Sequence, residues 1–88
     1  MTFSTTHEER APHHFIVRIH GHRDGAVIYS RDAACYVKEG EGWHFGAIPT
    51  TGKPQISPIV TDKATARKMA ERTAELMWMA DLAAKRVA

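Results

Sequence analysis

Cysteine is almost absent: Cys35 is the only one in 88 residues, so a disulfide framework within the chain is excluded. Long apolar runs are missing as well. No uncharged stretch approaches the ~20 residues a membrane span needs. Met1 to Arg10 is polar and partly acidic, unlike a signal peptide, which sets a cytoplasmic expectation with no membrane partner. Charge of one sign is scarce. Twelve Lys and Arg against ten Asp and Glu leave +2. Residues 1–60 hold six of each sign, and 61–88 hold six basic against four acidic. A dedicated nucleic-acid binder carries a basic stripe and a larger imbalance. Glycine and proline also vanish after Pro58, which removes every helix breaker from the last third of the chain.

What is present is average for a globular protein: 43% hydrophobic and 25% charged residues. Eighty-eight residues support one core. Residues 1–12 lack an apolar period and read as a flexible tail, leaving 13–88 as a single domain. His13 to His20 reads as a strand, with Phe15, Val17 and Ile19 toward the core. His14, Ile16, Arg18, His20 and His22 fall on the other face. Gly21 to Gly25 reads as a turn, and Ala26 to Ser30 as the next strand. Arg31 to Ala34 reads as a bulge or a short turn, and Ala34 to Lys38 continues that strand or starts another. Glu39 to Gly42 is a turn, and Trp43 to Ile48 a further strand. Pro49 to Pro58 is a connection with a short edge pairing near Ile56. Thr61 or Asp62 then caps a helix that propensity carries to Val87. The expectation is an α+β fold in two layers: a three- to four-stranded antiparallel sheet packed on one long C-terminal helix.

The helix has more apolar surface than one sheet covers. A stripe of Ala66, Met69, Ala70, Thr73, Met77, Ala80 and Ala84 is assigned to the core. Trp78, Met79 and Leu82 then lie roughly opposite, and something is expected to cover them: a second copy, another protein, or the N-terminal segment folded back. The simplest version is a homodimer through the helix.

His20-Gly21-His22 offers two ligands on one strand face, with a third from His14, Asp24 or His44, but no Cys-rich or carboxylate-rich motif accompanies them, so a metal-binding protein is the third reading and no metal ligand is assigned. Cys35 lies among Ala33, Ala34, Tyr36 and Val37 and reads as a small buried hydrophobe, not a nucleophile. Thr51-Gly52-Lys53 lacks the first glycine and the following helix of a phosphate loop. Tyr29, Tyr36, Trp43 and Phe45 would stack on bases if they faced outward, with Arg18, Arg23, Arg31 and Lys38 nearby. Nucleic acid is therefore a second reading. No catalytic residue and no cofactor is assigned.

The strands Phe15 to Ile19 and Trp43 to Ile48, with a terminal helix introduced by Val60-Thr61-Asp62-Lys63-Ala64, resemble small accessory proteins of phages and mobile elements, including anti-CRISPR inhibitors. The resemblance is one of build. It implies a protein that acts without chemistry by occupying a surface of a larger host complex. The expectation is a non-enzymatic protein-binding module using Trp78, Met79 and Leu82. A second surface falls on Arg18, His20, His22, Arg23 and Arg31.

Overall fold

The computed structural model describes residues 1–58 and 61–87. Five antiparallel strands follow chain order across one sheet: β1 (Thr2–Ala11), β2 (His14–Arg23), β3 (Ala26–Glu39), β4 (Gly42–Ala47) and β5 (Gln55–Ile56). One helix, α1 (Lys63–Ala83), packs across one face of that sheet. The two-layer α+β arrangement is the expected one. The fifth strand is the pairing near Ile56, and Val60, the first residue of the expected helix entry, lies outside the described residues.

The segment expected to be a flexible tail is β1, paired along its length with β2 from Thr2↔His22 to Ala11↔His14. Its signal is polar but periodic. Phe3, Thr5 and His7 pair with Gly21, Ile19 and Val17, so they share the helix-facing side, and threonine suits a half-buried pleat. The turn to β3 is tighter than Gly21–Gly25. Only Asp24 and Gly25 have positive φ, at 52° and 79°, the pattern of a two-residue type I′ hairpin. Gly21 therefore sits inside β2. The segment Arg31–Ala34 resolves as a bulge: β3 runs unbroken for 14 residues and its register against β2 shifts between Asp32 and Ala34.

Gly21 has a packing role. It lies between Phe3 on β1 and Tyr29 on β3, all on the helix-facing side. The missing side chain leaves a slot between two aromatic walls, and the Trp78 indole fills it. A Cβ at Gly21 would come within 2.7 Å of the ring. Phe3 stacks on Trp78 at 5.7 Å between centroids, and Tyr29 lies at 6.3 Å. Trp78 is 3% exposed and belongs to the core. Its expected place on a partner surface is corrected.

The helix is thus rotated from the expected stripe. Its buried residues are Ala66, Ala70, Ala74, Trp78 and Asp81. Alanine at every fourth position lets the backbone lie close on Val17, Ala33 and Ala34, and one large side chain sets the angle. Met69 is exposed instead. Asp62 is the N-cap, accepting a hydrogen bond from Thr65 N–H at 2.7 Å. The helix is continuous through Thr73, whose hydroxyl donates to the Met69 carbonyl at 2.8 Å. It stops at Ala83, four residues short of Val87. Lys85 turns left-handed at φ 56°, Arg86 N–H bonds the Asp81 carbonyl, and Val87 folds back onto the core.

Trp78→Ala is expected to lower stability by about 3–5 kcal/mol in denaturant unfolding, as for other buried tryptophans. A loss below about 1 kcal/mol, the range of surface positions, would contradict a core role.

Candidate functional site

Three surfaces are built from this frame. The first is the sheet face away from α1. It begins as a polar lattice, because short hydroxyl residues on β1 and β3 flank the β2 histidines. Thr6 Oγ1 and Ser30 Oγ each lie 2.8 Å from a His20 ring nitrogen, and Ser4 Oγ lies 2.8 Å from His22 Nε2. Arg18 donates to Asp32 at 2.5 Å, and Arg10 grips the same carboxylate through both terminal nitrogens. The Arg10 bonds, reinforced by Arg18, hold the Asp32 carboxyl below its ordinary range. Among the described residues no group of three or more His, Cys, Asp or Glu side chains is arranged to hold a metal.

Toward β5 the same face becomes apolar. A depression of about 570 Å³ is lined by His14, Ile16, Cys35, Val37, Ile48, Lys53, Pro54 and Ile56. Ile16 and Cys35 form its buried floor, and burial pushes the Cys35 thiol up. The strand aromatics lie on the opposite side. Tyr29, Tyr36, Trp43 and Phe45 all pack in or against the core under α1, so they are not available to stack on bases.

The second surface is the outer side of α1. Rotation of the helix leaves Met69, Leu76, Met79 and Leu82 in solvent, with Leu76 47%, Met79 56% and Leu82 39% exposed. Met69, Leu76 and Met79 follow seven- and three-residue steps, the spacing of a seam that packs against another helix or a groove. Of the expected contact residues, Met79 and Leu82 are here and Trp78 is not. Leu76 and Met69 were missed, the latter because it was assigned to the core.

The third is the cleft between β1 and the first half of α1, about 530 Å³ and lined by His7, Phe15, Tyr36, Lys63, Ala64 and Arg67. His7 bridges the layers. Its Nε2 meets a Glu71 carboxylate oxygen, and its Nδ1 lies 2.9 Å from the Tyr36 hydroxyl. Thr5 donates to the other Glu71 oxygen. Burial raises the Glu71 carboxyl, but the Thr5 and His7 bonds outweigh it, so the group titrates low. Lys63 Nζ sits 4.7 Å from the Phe15 ring centre, a cation–π contact.

Arg31 is the principal correction to the expected second surface. The register places it on the helix side, where its guanidinium donates to Asp81 at 2.6 and 3.2 Å and to the Ile48 carbonyl at 2.6 Å. Tyr29 donates to the same carboxylate at 2.7 Å. Asp81 is 1% exposed. Burial raises its carboxyl, and the bonds from Arg31 and Tyr29 more than reverse this, so it titrates below its ordinary value. Arg18, His20 and His22 do lie on the open face, and Arg23 is exposed at its end.

Asp81→Ala is expected to cost about 3 kcal/mol, because it leaves a mostly buried guanidinium without its carboxylate. The pH sign follows from the depressed folded-state value. The contribution of Asp81 is complete above the ordinary 3.8 and is lost as pH falls through the folded value. Unfolding free energy measured against pH should fall less steeply in Asp81→Asn over that acid range; an unchanged slope would contradict the assignment.

Comparison with known proteins finds no matching family, no matching curated protein and no matching solved structure.

Proposed function

We propose that this chain is a non-enzymatic protein-binding module that docks through the outer side of α1. The observation that carries the reading is the row Met69, Leu76, Met79 and Leu82, which stays in solvent although the sheet has its own aromatic core. Adjacent apolar side chains of this size on a small protein are typical of an interaction site. Methionine and leucine adapt to an apolar groove. Lys68, Arg72 and Glu75 lie together on the outer side of α1, and Arg72 pairs with Glu75 at 2.8 Å, so the polar rim carries both signs and the partner surface would be chiefly apolar. As a stoichiometric inhibitor, the chain would cover that groove on a larger host assembly, as the resemblance of its sequence to anti-CRISPR and similar accessory proteins implies.

The nucleic-acid alternative is weakened by geometry. Its stacking residues face α1, Arg31 is engaged with Asp81, and Arg18 with Asp32.

A photo-crosslinking residue at Leu76 or Met79 is expected to capture one host protein in lysate, and the same residue at Ser30 on the open face is not. Leu76→Glu with Met79→Glu should weaken the captured complex at least tenfold, about 1.4 kcal/mol or more, given the apolar area withdrawn. Equal capture at Ser30, or full affinity in the double variant, would contradict this surface.

A further inference from the structure

We infer that two copies of this chain join edge to edge through β1, antiparallel, forming one continuous sheet of twice five strands. This does not rest on the reading of the α1 surface. β1 ends the sheet order, and among the described residues only β2 pairs with it. Ten residues of strand therefore present one free backbone edge. Proteins usually blunt such an edge with proline, lysine, an inward-pointing charge or a bulge. Thr2 to His7 contains neither proline nor lysine and pairs with β2 without interruption; the charges and the register shift are confined to Glu8–Ala11. The other sheet edge, β5, is two residues long.

The side chains favour a second copy as the occupant and select a register. A pairing centred on Glu8 or Glu9 would set like charges opposite each other. A pairing centred on Thr5 sets Ser4 against the second copy's Thr6, and Phe3 against its His7. Those are hydroxyl–hydroxyl and aromatic pairs of the favourable kind. The two-fold axis then stands perpendicular to the sheet. Both helices lie on one side and both His20–His22 lattices on the other. The contact is main-chain recognition at a strand edge, with cross-strand pairs fixing the register.

Light scattering of the intact chain is expected to give twice 9.8 kDa. Nitroxide labels on single cysteines, introduced in a Cys35→Ala background, then locate the contact. In Thr6→Cys the spectrum should show dipolar broadening, and in Met79→Cys it should stay sharp. Thr6→Lys, which places a charge on the edge, should return the mass to that of one chain with unchanged circular dichroism. A monomer at the highest soluble concentration would overturn the inference. So would a dimer broadened at Met79 and sharp at Thr6.

Discussion

The seating of Trp78 over Gly21 is the contact on which the other features depend. A strand residue without a side chain, between Phe3 and Tyr29, makes a slot one indole wide. The helix would otherwise have little to set its rotation. Its remaining fully buried apolar residues are Ala66, Ala70 and Ala74, which allow close approach but bury little area each. Once the indole is seated, Asp81 is carried over Tyr29 and Arg31, Glu71 over Thr5 and His7, and Leu76, Met79 and Leu82 are turned to solvent. Fold and candidate interaction surface thus share one cause.

Two polar contacts reinforce that rotation at either side of the indole. Near the end of α1, Asp81 gathers a guanidinium and a phenol in a place that excludes water, where an unpaired carboxylate would be costly. That cost disfavours rotations that separate the three groups, so the pair specifies an orientation even where its net contribution to stability is small. About three turns earlier, Glu71 reaches the edge strand through Thr5 and His7. β1 is thereby tied to the helix by Phe3, Thr5 and His7, and its outer edge remains unpaired among the described residues.

Much of this was legible in the chain. The alternation of Phe15, Val17 and Ile19 assigned the faces of β2, and Thr61-Asp62 announced the helix start, with Asp62 the cap. β1 was not legible, because its helix-facing residues are one phenylalanine, a threonine and a histidine, too polar to stand out as an apolar period. The rotation of α1 was hidden by its composition: alanines occupy several sides of the helix, so an apolar stripe can be drawn at more than one angle. The deciding partner, Gly21, reads locally as a turn residue. The Arg31–Asp81 pair joins positions 50 residues apart and leaves no local pattern. Met79 and Leu82 were found as surplus apolar residues, and Trp78 was grouped with them because the slot that buries it depends on three strands meeting.

The most direct test is a double-mutant cycle of Gly21→Ala and Trp78→Leu, read by denaturant unfolding. The account predicts that Gly21→Ala costs about 1–3 kcal/mol in the wild-type background, where the new methyl group meets the indole. It predicts less than half that cost in the Trp78→Leu background, where the ring is gone. Equal costs in the two backgrounds would show that the two positions are energetically independent. The slot would then not be what sets the helix.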